Sequence, residues 1–242
     1  MHPIDPRVLV VIPALNEEDS VGEVVRTVIE AFPDARCLVV DDGSTDATRA
    51  RAFEAGATVL SLPYNLGVGG AMRAGFRFAQ EHGHDIVVQV DADGQHDPFA
   101  IQSLIERLNG ADLVIGARFA GVGDYGARGP RRWAMRMLAS VMSRVAATRL
   151  TDVTSGFKAS GPRAVSLFAD NFPAEYLGDT IEALVIGARA GLTIEQVPVA
   201  MRNRQSGEPS HRPLKAAVYL VRACAAFLLA MMRPRKRIED HG

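Results

Sequence analysis

Five apolar, β-branched runs limit what this chain can fold into: Val8 to Ile12, Cys37 to Val40, Thr58 to Leu62, Ile86 to Val90 and Leu113 to Ile115. They read as strands buried on both faces, the mark of a parallel sheet. Between them lie helical stretches at about Glu17 to Ala31, Asp46 to Ala55, Val68 to His82 and Pro98 to Leu108. Strand alternating with helix in this way predicts an α/β fold, a doubly wound sheet with right-handed crossovers. After Arg118 the pattern loosens into a glycine-rich loop, Gly121 to Gly129. Helices are expected again at about Arg131 to Thr148, Pro162 to Phe168 and Gly178 to Ala190, with a late strand at Thr193 to Val199 and a loop from Arg204 to Pro213. A chain of 242 residues, 48% hydrophobic, can bury one full core. One main domain over 1–212 is expected, with 213–242 as an appendage.

Four polar motifs occupy the ends of these elements. They are Pro13-Ala14-Leu15-Asn16-Glu17, Asp41-Asp42-Gly43-Ser44-Thr45-Asp46, Asn65-Leu66-Gly67-Val68-Gly69-Gly70-Ala71 and Asp91-Ala92-Asp93-Gly94-Gln95-His96. An open α/β sheet takes its ligands at the carboxyl ends of its strands. Asp91 and Asp93 emerge together there, two hard oxygen donors able to hold Mg²⁺ or Mn²⁺ against a diphosphate, and Gln95 offers a third oxygen. A cation so placed would neutralise charge on a departing nucleotide diphosphate. Asp42 is expected to accept hydrogen bonds from a ribose or base edge, while Asp41 serves the local backbone and Ser44 caps the next helix. The glycine-rich segment lacks the Gly-Lys-Ser/Thr ending of a phosphate loop, and Met72 stands where a dinucleotide fingerprint needs its third glycine. Kinase and dehydrogenase readings are weakened accordingly. Gly67, Gly69 and Gly70 are expected to let the chain approach a bound nucleotide, with Arg73 reaching toward phosphate or a carboxylate. Together the motifs point to an enzyme that uses a nucleotide-sugar.

The formal net charge is −1, but positive charge gathers in the second half. Arg118 to Arg149 holds seven arginines against the single acid Asp124, and Arg202 to Arg237 holds nine Lys or Arg against Glu208. With 6% aromatic residues and no base-reading module, nucleic acid is not the expected partner. A phosphorylated lipid and an anionic membrane surface fit better. Ala216 to Met232 is apolar except at Arg222 and is followed by Arg233, Arg235, Lys236 and Arg237. Its 17 residues fall short of the roughly 20 that cross a bilayer, so an amphipathic helix lying in the membrane interface is expected. Cys37 and Cys224 lack the spacing of a disulfide framework or zinc site, and the N-terminus lacks a basic start leading into an apolar run. A cytoplasmic protein is expected.

The four motifs in this order, followed by Gly116-Ala117-Arg118 and Thr154-Ser155-Gly156-Phe157, resemble family 2 glycosyltransferases of the GT-A fold. Within that family the chain is similar to dolichol-phosphate mannose synthases and, more closely, to short actinobacterial polyprenyl-phosphate sugar synthases, over about Val8 to Arg233. The resemblance implies that Pro13, Leu15, Glu17, Val40, Asp42 and Asp91 serve the nucleotide and that Asp91, Asp93 and Gln95 hold the cation. It places Arg118, Arg131, Arg204 and Ser210 on donor or acceptor phosphates, and makes Asp93, Arg118, Arg131 and Arg204 the catalytic set. The implied reaction is inverting transfer from a nucleotide-diphosphate sugar, UDP-N-acetylgalactosamine before GDP-mannose, to polyprenyl phosphate. Its product would feed cell-envelope glycan assembly, made by an enzyme bound peripherally at the inner face of the plasma membrane. A phosphate acceptor is already largely anionic at neutral pH, its second pKa lying near about 6, and needs no strong base.

A hydroxyl acceptor, the alternative, would need a base, which Asp179 and Glu182 could supply from one helix face. Two departures from the family stand out. Lys158 follows Ser-Gly-Phe where Arg is usual, and the loop from Arg204 to His211 differs from the Arg-x-x-Gly-x-Ser-Lys of the mannose synthases. No multi-span membrane domain follows, so a small membrane protein is expected to help recruit the enzyme.

Overall fold

The computed structural model describes residues 7–117, 130–173 and 179–200, with the backbone alone at 130–136 and 179. Val8 to Ile12 carries no polar side chain, and the strand built on it, β1 (Val8–Ala14), is buried at every residue. It pairs in parallel with β2 (Arg36–Asp41) on one side and β4 (Ile86–Gln89) on the other. Beyond β2 lies β3 (Thr58–Ser61), and beyond β4 lie β6 (Lys158–Ser160), β5 (Leu113–Ala117) and β7 (Ile194–Pro198). The order among the described residues is β3-β2-β1-β4-β6-β5-β7, with β6 antiparallel to both its neighbours.

Alternate side chains of each strand feed opposite faces. Val8, Val10, Ile12, Cys37, Val39, Val88 and Val114 pack under α1 (Val21–Ala31), α2 (Thr48–Glu54) and α4 (Ile101–Arg107), which a single 3₁₀ turn at Pro98–Ala100 introduces. Leu9, Val11, Leu38, Val40, Val87, Leu113 and Ile115 pack under α3 (Gly67–Glu81), α5 (Pro130–Val145), α6 (Pro162–Asn171) and α7 (Asp179–Arg189). The result is a three-layer α/β/α arrangement. Phe76 of α3 meets Phe168 of α6 and the following Phe172 at centroid distances of 5.3 and 5.2 Å. Arg73 donates to the Asp170 carbonyl oxygen at 2.8 Å, so it braces α3 against α6 instead of reaching for a phosphate.

The five early strands and the late one form where the sequence predicts them. β6 is the addition: three residues, one of them a buried lysine, show no period, and only insertion between β4 and β5 makes them a strand. Two helices start later than expected, α1 at Val21 instead of Glu17 and α2 at Thr48 instead of Asp46, because the residues before them form turns that bond to each other. Among the described residues no helix is long and apolar enough to cross a membrane. The segment Ala216 to Met232 and the boundary at 212/213 lie outside the described residues.

Candidate active site

The chain leaves β1 toward β2 and β3, then returns to β4 on the other side of β1. That reversal is the topological switch point of the sheet, where an open α/β fold opens a crevice at the carboxyl ends of its strands. A cleft of about 490 Å³ lies there, lined by Pro13, Leu15, Glu17, Asp42 and Gly67 from the first three motifs and by Asp91, Asp93, Thr154, Gly156 and Thr180 from segments after β4.

Part of the cleft is built from two loops clasped together. Asn16, in the left-handed region at φ 53, donates its N–H to Ser44 Oγ, and its own Oδ1 accepts from Thr45 N–H at 2.9 Å. Glu18 N–H donates to Asp46 while Ala47 N–H donates to the Glu18 carboxylate. Glu17 N–H donates to Thr48 Oγ1 at 2.7 Å, and the Glu17 carboxylate accepts from Ser20 Oγ. Ser44 is therefore a tie to the first loop and caps no helix.

Both acids of the second motif are engaged. Asp41 Oδ1 accepts from Ser44 N–H, the expected local bond. Asp42 accepts from Leu66 N–H at 2.7 Å and Gly67 N–H at 2.8 Å, so it anchors the third motif. Burial pushes its pKa above the ordinary aspartate range and the Asp41 charge adds to this, while the two backbone bonds act the other way. Gly67 takes φ 78 at this point and lines the cleft. Gly70 has a different role: a Cβ there would sit 2.4 Å from Leu66 Cβ.

The acidic pair faces the cleft from beyond β4. Asp93 Oδ1 accepts from Gln95 N–H at 3.0 Å, while Asp91 Oδ1 accepts from Gln89 Nε2 at 3.2 Å. A Cβ on Gly156 would fall 2.8 Å from Asp91 Oδ2, so the Thr154–Phe157 segment passes close to the carboxylate at a residue with no side chain. That loop is stapled to β7: Thr151 N–H donates to Gln196 Oε1, and Gln196 Nε2 donates to the Asp152 carbonyl oxygen. Among the described residues no three His, Cys, Asp or Glu gather into a metal cage. Two carboxylates facing a cleft still suit Mg²⁺ or Mn²⁺, which are commonly held by one or two carboxylates completed by substrate phosphates.

Of the residues singled out from sequence, the structure gathers Pro13, Leu15, Glu17, Asp42, Asp91 and Asp93 on one cleft. Val40 is fully buried in the core under α3, and Gln95 does not line the cleft. Glu182 is 2% exposed and also stands off the lining, although Thr180 of the same helix reaches it. The side chains of Arg131 and Asp179, together with Arg118, Arg204, Ser210 and Cys224, lie outside the described residues. Gln89 went unnoticed in the sequence, though a polar residue inside Ile86-Val87-Val88-Gln89-Val90 is a signal in itself. Thr154 and Gly156 entered only as part of a motif.

A mostly parallel sheet between helices, with an acidic pair facing a cleft at its switch point, defines a GT-A-fold α/β protein. Residues 9–166 match the family described as Glycosyl transferase family 2, and the chain belongs to that family; it is a glycosyltransferase. The chain is 34% identical over 214 residues to undecaprenyl-phosphate mannosyltransferase of Micrococcus luteus, covering 84% of this chain and 86% of that one. It is 35% identical over 168 residues to polyprenol monophosphomannose synthase of Mycolicibacterium smegmatis, covering 63% of this chain and 61% of that one. Its fold matches glucosyl-3-phosphoglycerate synthase of Mycobacterium tuberculosis, solved with Mn²⁺, UDP and phosphoglyceric acid, with a TM-score of 0.71 and 26% identity over 95% of this chain and 80% of that one.

Proposed function

We propose that this enzyme transfers a sugar from a nucleotide diphosphate to polyprenyl phosphate, with inversion at the anomeric carbon. The observation that carries this reading is the gathering of Asp91 and Asp93 with Glu17 and Asp42 on one cleft. The two polyprenyl-phosphate relatives support the acceptor, and the UDP and Mn²⁺ of the structural neighbour support the donor class and the cation.

Pro13, Leu15, Glu17 and Asp42 hold the nucleoside end of the donor. Asp91 and Asp93 hold Mg²⁺ or Mn²⁺, with Gln95 as the remaining candidate ligand. When bound, the cation supplies positive charge beside the departing diphosphate. Arg118, Arg131, Arg204 and Ser210 contact phosphates of donor and acceptor. Arginine suits that task, since its planar fork of donors matches a phosphate. An oxygen of the acceptor phosphate forms the new bond to the anomeric carbon from the face opposite the leaving diphosphate, and the old carbon–oxygen bond breaks. Because the attacking oxygen carries no proton, the site needs no base. The burial of Glu182 away from the cleft supports this over transfer to a hydroxyl. The enzyme works at the inner face of the plasma membrane, seated by residues 213–242 and by a small membrane protein.

Purified protein is incubated with Mn²⁺ or Mg²⁺, a short polyprenyl phosphate and a panel of UDP- and GDP-sugars, and the lipid is weighed by mass spectrometry. A polyprenyl-phosphate sugar is expected from one donor. UDP-N-acetylgalactosamine follows from the resemblance to actinobacterial synthases, GDP-mannose from the mannosyl relatives. Nucleotide release without a glycolipid overturns the acceptor. Full activity on lipid micelles alone removes the need for a membrane partner.

A further inference from the structure

The fourth motif ends in His96, a residue to which the proposed reaction gives no role. It is 4% exposed, and its ring touches two parts of Asp91. Nδ1 accepts the Asp91 backbone N–H at 3.0 Å, and Nε2 faces Asp91 Oδ2 at 3.5 Å. With Nδ1 as acceptor the ring proton sits on Nε2, toward the carboxylate. The other Asp91 oxygen is taken by Gln89 Nε2. Behind the imidazole lies Phe157, fully buried, stacked at a centroid distance of 5.0 Å and 19° between planes. Phe157 is in turn seated on Gly116, where a Cβ would fall 2.8 Å from Phe157 Cδ1. One face of the imidazole is thus backed by a buried aromatic ring.

We propose that His96 is a positioning residue: backed by Phe157, it holds the Asp91 backbone and carboxylate in the one orientation that presents the acid to a cation. The proposal rests on Asp91 being a cation ligand in the reaction above. An aspartate at a strand end has two side-chain torsions to lose, and groups that fix such ligands from behind set how well they bind metal. The pairing also gives Thr154-Ser155-Gly156-Phe157 a purpose in this chain, since Gly156 makes space for the carboxylate and Phe157 backs the histidine.

The test measures Mn²⁺ binding by electron paramagnetic resonance, in the presence of UDP and of GDP, for the wild type, His96→Ala and His96→Asn. The affinity of each nucleotide without metal and the Tm are measured alongside. His96→Ala is expected to bind Mn²⁺ roughly 10–100-fold more weakly, with metal-free nucleotide affinity unchanged. His96→Asn keeps an acceptor where Nδ1 stood but nothing in place of Nε2. It is expected to lose less Tm than His96→Ala without regaining Mn²⁺ affinity, and it carries the test should the alanine variant fail to fold. Wild-type Mn²⁺ affinity in either variant overturns the proposal, as does an equal loss of metal-free nucleotide binding. A wild type that binds no Mn²⁺ with either nucleotide overturns the cation reading of the reaction itself, and this proposal with it.

Discussion

Replacing Gly156 with alanine separates the space the acidic pair needs from the stability of the fold. The new Cβ would lie 2.8 Å from Asp91 Oδ2, 2.9 Å from Oδ1 and 3.1 Å from Gln89 Nε2. An ordinary contact begins at 3.4 Å, so about 0.6 Å of movement is required. The group that must give is the Asp91 carboxylate, which sits at an open cleft but is bonded to Gln89 Nε2 and faces His96 Nε2. Turning it by about 30° costs roughly 0.5–1.5 kcal/mol, which for a chain of this size lowers Tm by about 2–5 °C. Catalysis is less forgiving, since a displacement of about 1 Å at a reacting centre costs on the order of 100-fold. A loss of about tenfold or more in kcat is expected from 0.6 Å. Steady-state nucleotide release and thermal unfolding are the two assays. Wild-type kcat in a folded Gly156→Ala variant would refute the reasoning, and so would a collapse in Tm that accounts for the lost activity.

Gly116→Ala meets the opposite constraint, because its Cβ would fall 2.8 Å from Phe157 and 3.1 Å from Val199, both buried and unable to retreat. Overpacking is expected to cost about 1–3 kcal/mol, read as a larger fall in Tm than Gly156→Ala gives. Asp91→Asn removes one of the two charges offered to the cation; turnover is expected to fall at least about 100-fold with Tm little changed, and a merely twofold loss in kcat would exclude its role. Asp42→Ala leaves Leu66 N–H without its acceptor and Gly67 N–H with Asn65 Oδ1 alone, at a cost of about 1–3 kcal/mol, and should weaken nucleotide affinity in equilibrium titration as the third motif loosens. Burial pushes the Cys37 thiol from 9.0 to about 12. The native thiol therefore stays protonated where the unfolded one ionises. Stability from this group is complete below pH 9, is lost as pH rises toward 12, and should show as a shallower alkaline decline of Tm in Cys37→Ala.

Much of this enzyme was legible along the chain. The run Val8 to Ile12 reads as a strand buried on both faces, and the helical stretches read at Glu17 to Ala31 and Val68 to His82 contain α1 and nearly all of α3. These are local signals, set by side-chain periodicity within a dozen residues. Asp91 and Asp93 were recognisable as acids of the cleft because a turn after an apolar strand must come out at the sheet edge.

The sequence by itself determined the alternation of strand and helix, the sheet edge that carries the cleft, and the acids that meet there. Only the tertiary structure decided how those pieces are held. It slid Lys158–Ser160 between β4 and β5, turned Val40 into the core under α3, and gave Asp42 to backbone groups 24 and 25 residues away. It also laid His96 between Asp91 and Phe157. Such pairings depend on which distant segments the closed fold brings within hydrogen-bond reach, and no pattern confined to one strand or one helix contains that information.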